Sequence, residues 1–229
     1  MNTVRGSILW ALCVAAPSSA FAFSTTYNAA LGSLPTAQGW SLVSTNDFPP
    51  ATVSGGTLQT GPTSVAGFEY WQVGAPIANF ADLSSIRSEL RIVSSGWVNN
   101  PARSGFNLSL QSPTRFFNLL IASDRIALIN NTSGPAVSTY MMDTTSQFRT
   151  YELKVSGNSA EVFVDGVSRL TAAQGGVIAG TGLAWFGDGT TLAGGSAQVK
   201  WVEANAVPEP SLLLLGVGAC WARRRKLRS

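Results

Sequence analysis

Residues 151–170, YELKVSGNSAEVFVDGVSRL, leave little freedom of local structure. Tyr151, Leu153 and Val155 fall on one side of the chain and Glu152 and Lys154 on the other. That period of two gives an apolar face only to a strand. Gly157-Asn158 supplies a positive-φ reversal, and the chain returns through Ala160 to Val164. Asp165-Gly166 follows as a second tight turn, a pair that favours type I′ geometry. The segment therefore reads as a three-strand meander, and its apolar face requires a second layer to cover it.

The rest of residues 23–206 has the same grammar. Ser, Thr, Gly and Asn separate short β-branched or aromatic runs, with no 3.6-residue period. Glu89–Val93 and Phe106–Gln111 alternate polar with apolar, as half-buried strands do. Further strands are expected at Phe117–Ala122, Arg125–Asn130, Gly182–Phe186 and Ala197–Ala204. Many short strands with frequent turns predict an all-β chain, a two-sheet antiparallel β-sandwich of one domain over 23–206. There is no internal repeat and no second-domain linker.

Composition then removes whole classes of chemistry. The chain has no histidine, which excludes Ser-His-Asp and Cys-His nucleophiles, imidazole zinc sites and histidine acid–base catalysis. The two cysteines, Cys13 and Cys220, lie in the terminal apolar runs, so residues 23–206 form no disulfide and no thiolate metal site. The formal charge of +3 also belongs to the ends. Between Phe23 and Ala206 nine basic side chains face eleven acidic ones, whereas a nucleic-acid binder carries its positive charge on the domain. A nucleic-acid partner is excluded on that ground.

Both ends read as addresses. Arg5, the apolar run Ile8–Ala16, Pro17-Ser-Ser and then Ala20-Phe21-Ala22 have the order of a secretory signal peptide over 1–22, cut after Ala22. Signal peptidase is the expected processing enzyme. At the other end, residues 207–229 read VPEPSLLLLGVGACWARRRKLRS. The motif Val207-Pro208-Glu209-Pro210 precedes an apolar run that is stopped by Arg223, Arg224, Arg225 and Lys226. The run Ser211–Ala222 is twelve residues, about 18 Å as a helix against roughly 30 Å of hydrocarbon. That length suits a transient label better than a permanent span, with the basic stop held on the cytoplasmic side.

This tail closely resembles the PEP-CTERM sorting segment of Gram-negative bacteria. The resemblance implies an exosortase as partner, a transient inner-membrane intermediate through a short hydrophobic helix, and delivery to the outer surface or extracellular matrix. The middle resembles the concanavalin A-like lectin/glucanase (laminin-G-like) jelly rolls. It does so through Gly39-Trp40, the early strand Gly55–Gln59, the 151–166 meander, Trp185-Phe-Gly-Asp-Gly and the closing strand Gln198–Glu203. That resemblance implies a jelly-roll domain and leaves activity to be argued from residues.

Candidate sites are few. A retaining glucanase needs two carboxylates about 5–5.5 Å apart, and an E-x-D-x-x-E-type run is absent. Glu161 and Asp165 run from a strand into a turn, and Glu152 and Glu161 are expected to face each other across the hairpin as solvent-side acids. No catalytic residue is assigned. Asp188 in Phe186-Gly-Asp-Gly-Thr190 offers a carboxylate to Ca2+, although a turn in which Asp caps its own backbone accounts for the same residues, as it does for Asp143-Thr-Thr. Cofactors are therefore expected to be none, Ca2+ being the sole candidate. Trp71, Trp97 and Trp185 are the candidates for stacking sugar rings, while Trp40 and Trp201 are expected in the core. Asn107-Leu-Ser and Asn131-Thr-Ser match the glycosylation pattern by coincidence in a bacterial chain. The expectation is an exported, non-enzymatic surface or matrix protein binding exopolysaccharide. A glycoside hydrolase-like enzyme and a purely structural envelope or biofilm protein are the alternatives.

Overall fold

The structure, a computed structural model, describes residues 23–45, 49–61, 67–74, 84–99, 101–130, 136–173, 176–177 and 181–206. The terminal segments 1–22 and 207–229 lie outside the described residues. With them lie the expected Ala20/Ala22 cleavage site, the Val207–Pro210 motif, the expected Arg223–Lys226 stop and the two expected terminal helices.

Among the described residues, the strands form two eight-stranded antiparallel sheets and a two-stranded ribbon. The first sheet runs in the order Val167–Ala172, Ser159–Val164, Arg149–Ser156, Ser84–Ser95, Gly195–Ala206, Thr57–Gln59 and Thr52–Ser54. Phe23–Asn28 also pairs with Gly195–Ala206, setting Phe23 opposite Ala206. The second sheet runs Ser138–Met141, Arg125–Ile129, Arg115–Ala122, Asn107–Gln111, Leu183–Asp188, Glu69–Gly74 and Ser41–Ser44, with Gly176–Val177 beside Arg115 and Phe116. The ribbon joins Trp97–Asn99 to Ala102–Ser104.

The meander forms as its sequence dictates. Asp165 (φ 52°) and Gly166 (φ 78°) are both left-handed and close the hairpin between Val164 and Val167. Asp165 tolerates this because its carboxylate accepts from Thr150 N at 2.9 Å and from Arg149 Nη1 at 2.8 Å. Gly55 and Gly56 also have positive φ, so they form a turn and the expected early strand begins at Thr57.

The inner faces of the two sheets make one core. Tyr151, Leu153, Val155, Ile86, Leu90 and Val199 come from the first sheet, and Leu108, Leu110, Phe117, Leu119, Ile126 and Leu128 from the second. At one end Phe186 gathers three aromatic partners. Trp40 meets it edge-on at 5.0 Å, Trp71 stacks at 5.3 Å and Tyr27 stacks at 6.1 Å. Such side chains dominate core energetics because each buries 150–250 Å² of surface, at about 25 cal/mol per Å² of apolar area.

Two expectations need correction. Trp201 is not core. The pairing shifts between Val199 and Trp201, so Lys200 is the extra residue of a bulge and the next side chain changes face. Trp201 therefore sits half-buried on the outer side, its indole N–H donating to Glu89 Oε2 at 3.1 Å and Arg87 lying 5.1 Å from its ring. Asn107–Leu110, in turn, is buried on both faces rather than half-buried. The outer face of the second sheet is covered in part by the ribbon. There Leu120, Ala127, Ile129 and Ala102 form a second apolar cluster, with Trp97 against it.

Candidate functional site

The second sheet's outer face carries the polar residues that the core rejects. Strand register sets them in rows. Gln72, Trp185, Ser109, Asn118 and Ile129 follow one another across adjacent strands, each directly opposite the next. Tyr70, Gly187, Asn107, Leu120 and Ala127 form the neighbouring row. Paired residues share a face and lie one strand spacing, roughly 4.8 Å, apart.

Between these rows and the ribbon lies a recess of about 170 Å³. Asn107, Ser109 and Asn118 line it together with Trp185, Phe116 and Arg103. At less than the roughly 300–1,000 Å³ of an ordinary small-molecule cleft, it suits a single small ring or substituent. Trp185 forms one wall. Its ring lies 5.2 Å from Tyr70, and Gly189 sits so close that a Cβ there would come within 2.5 Å of the indole. Glycine is also required at Gly187, whose φ is +121° and where a Cβ would stand 2.6 Å from Glu69 O.

The floor is built from amides. Asn107 is 2% exposed, and its Nδ2 donates to Ser104 O at 3.3 Å and Gly187 O at 3.4 Å. Ser109 Oγ donates to Phe117 O at 3.2 Å. Asn118 is 8% exposed. Asn107 Oδ1 and Asn118 Oδ1 are buried and accept no hydrogen bond. An acceptor left so forfeits about 1–3 kcal/mol.

Arg103 is placed over this floor by the ribbon. Ser104 Oγ donates to Phe106 O at 2.8 Å and accepts from Ile121 N at 3.1 Å, while Gly105 N donates to Ser95 Oγ at 3.0 Å. A Cβ on Gly105 would come within 2.3 Å of Gly194 C, so the ribbon joins the sandwich through close backbone contact. Arg103 Nη1 donates to Ala102 O at 2.6 Å, and burial holds the guanidinium below its ordinary pKa.

Acidic pairs lie elsewhere. Glu69 and Asp188 are opposite each other in register, 6% and 3% exposed, on the same face as Trp71 and Phe186. This is the core side of the sheet, away from the recess. Glu69 Oε2 accepts from Gly61 N at 3.0 Å, and Ala51 N–H also bonds the carboxylate; burial nevertheless pushes its pKa up. Asp188 Oδ1 accepts from Thr190 N at 3.0 Å, which closes its own turn. Among the described residues no group of three or more His, Cys, Asp or Glu side chains comes together. The expected Glu152–Glu161 pair does not form. Glu152 stands opposite Phe163 and Glu161 opposite Lys154, because the two-residue turn at Gly157-Asn158 sets that register. The Ser146 hydroxyl, together with Thr145 N at 2.8 Å and Thr145 Oγ1 at 2.7 Å donating to Asp143 Oδ1, holds the Asp143 carboxyl well below the ordinary range.

The three tryptophans proposed to stack sugars separate. Trp71 is 2% exposed in the core, so a stacking role for it is withdrawn. Trp97 lies on the ribbon with its N–H on Asn99 Oδ1, the Arg125 guanidinium 5.1 Å from its ring and the second apolar cluster against it. Trp185 alone of the three lines the recess. Asn107 and Asn118 were not among the sequence candidates, and Asn107 is too buried to carry a glycan. One signal was available: Asn118 interrupts the apolar run Phe116-Phe-Asn-Leu-Leu-Ile121, where a polar residue needs a reason.

No family model matches the chain, and no curated protein matches it. Solved structures do. A protein of unknown function from Shewanella oneidensis MR-1 is 15% identical, with 81% of this chain and 86% of that one covered and a TM-score of 0.52. A carbohydrate esterase from the Shiga toxin-encoding bacteriophage phi24B is 15% identical over 80% of this chain and 98% of its own, with a TM-score of 0.50. Peanut lectin is 8% identical over 82% of this chain and 98% of its own, with a TM-score of 0.53. At such identities the likeness concerns the fold alone. The chain adopts the two-sheet, lectin-like jelly roll of the concanavalin A type.

Proposed function

We propose that this chain is an exported, non-enzymatic surface or matrix protein that binds exopolysaccharide through the recess beside Trp185. The observation that carries the reading is the pair of buried, unpartnered acceptors, Asn107 Oδ1 and Asn118 Oδ1, next to an indole wall. A saturated sugar ring offers hydroxyl donors for the first and an apolar C–H face for the second. The fold is in keeping with the carbohydrate-binding part of this reading, since a lectin, peanut lectin, shares it. Export rests on the sequence of the ends: the signal-peptide pattern of 1–22, and a tail that resembles a PEP-CTERM segment handled by an exosortase at the inner membrane. The non-enzymatic part rests on the absence of histidine and on the buried acids Glu69 and Asp188 lying on the core side of the sheet. Ca2+ has no part in the proposal, since Asp188 serves its own turn.

The test uses protein recovered from the surface or medium of cells expressing the full chain. Mass spectrometry should find the N-terminus at Phe23 and a C-terminus trimmed near Pro208–Pro210. On a glycan array the protein should bind, Asn118→Ala and Trp185→Ala should bind weakly, and no reducing ends should be released. Failure to bind any glycan would defeat the recognition half of the proposal, and an untrimmed, cell-retained chain would defeat the export half.

A further inference from the structure

Resting on the reading of the recess as a glycan site, we infer that the sugar it takes is acidic: a pyranose bearing a carboxylate, seated with its ring against Trp185, its hydroxyls on Asn107 and Asn118, and its carboxylate at Arg103. Four observations carry this. Arg103 lines the same recess as the two amide acceptors, and no described lining residue carries a negative charge. The uncharged lining groups account for a neutral ring already, because Asn107 Oδ1 and Asn118 Oδ1 accept from hydroxyls and Trp185 covers the apolar face. A guanidinium beside them adds nothing that such a ring requires; a carboxylate is the group its planar fork matches.

The third observation is how firmly Arg103 is held. It stands between Ala102 and Ser104, which are 0% exposed, on a ribbon anchored through Ser104 to Phe106 and Ile121 and through Gly105 to Ser95. A positive charge fixed in advance loses little freedom when a ligand arrives. The fourth is its setting. Burial depresses the guanidinium's pKa, and an opposite charge is felt more strongly in such a partly desolvated setting than in open water. The domain as a whole is slightly acidic, so the attraction is local to this recess and not a general stickiness for polyanions.

Paired oligosaccharides of identical linkage and ring configuration test the inference. A neutral hexose tetramer, its C6-oxidised uronate and the methyl ester of that uronate are compared in gluco, galacto and manno configurations. Binding is measured by calorimetry on protein recovered from cells expressing the full chain. In the configuration that binds best, the uronate should bind about 10-fold more tightly than the neutral tetramer, as a charge-assisted hydrogen bond implies. The methyl ester should fall back to the neutral value, which checks the charge on the wild-type protein whether or not any variant folds. Arg103→Gln should abolish the uronate preference, and Arg103→Lys should retain part of it. The preference should also shrink between roughly 20 mM and 500 mM salt. Equal affinity for neutral tetramer and uronate in every configuration would overturn the acidic-sugar inference and leave glycan recognition standing. A uronate preference that survives Arg103→Gln, or esterification, would overturn it as well. Binding of none of the oligomers would remove the underlying reading together with the inference.

Discussion

Asn118 and Trp185 stand two strands apart in one cross-strand row, each directly opposite Ser109. Roughly 10 Å therefore separates their backbones, twice the strand spacing, with the small Ser109 between them. A large residue at position 109 would fill the recess. Serine leaves it open, and its hydroxyl is turned back onto Phe117 O. The recess is thus a consequence of register, with a wall, a gap and an acceptor in sequence along one line.

Asn118→Leu should separate stability from function. The side chains have similar volume, and the change removes a buried acceptor that has no partner. Thermal and denaturant unfolding should show a fold as stable as the wild type or up to about 1 kcal/mol more stable. Glycan affinity should fall about 10-fold or more. A loss of stability comparable to that of a core truncation would show that Asn118 serves the fold.

The tryptophans should divide along the same line. Trp71→Ala opens the aromatic cluster around Phe186 and should cost about 3–5 kcal/mol in denaturant unfolding. Trp185→Ala removes a recess wall and should weaken glycan binding about 10-fold, with a much smaller effect on unfolding. Trp97→Ala should leave binding close to wild type, because its ring is already engaged by Arg125 and the second apolar cluster.

Gly187→Ala should destabilise the protein by at least about 2 kcal/mol. The backbone there has φ +121°, and the added methyl would stand 2.6 Å from Glu69 O and 2.8 Å from Tyr70 Cα. Circular dichroism melts would show the lower midpoint. An unchanged midpoint would mean that the two strands can part there at little cost.

Glu69 should give the unfolding free energy a distinctive pH dependence. Burial raises its folded-state pKa above the ordinary 4.5, so between those two values the folded protein binds more protons than the unfolded one. Its contribution is most favourable below 4.5 and is lost as pH rises through the folded-state pKa. Glu69→Gln, neutral throughout, should flatten that limb when denaturant curves are compared between neutral and mildly acid pH. Identical pH profiles for the two proteins would show that Glu69 is not held protonated by its burial.

Much of the fold was legible because local rules decided it. Asp165-Gly166 closes its hairpin with the two left-handed residues that such a turn demands. The Tyr151–Val155 alternation points its apolar side inward, as a period of two must. The errors came where one distant residue changes a parity. Nothing near Trp201 announces the bulge at Lys200, yet the bulge moves the indole from the core to the outer face. Nor does anything near Trp71 distinguish it from Trp185, since the two lie on opposite faces of strands that pair with each other.

The sequence by itself determined an all-β sandwich and the histidine-free, cysteine-free chemistry of residues 23–206, because turns, periodicity and composition act within a few residues. Only the tertiary structure decided which tryptophan meets the recess and that Asn107, Asn118 and Arg103 converge beside it. Those residues come from different strands and a ribbon, and their meeting is set by pairing register, which depends on hydrogen bonds between segments far apart in the chain.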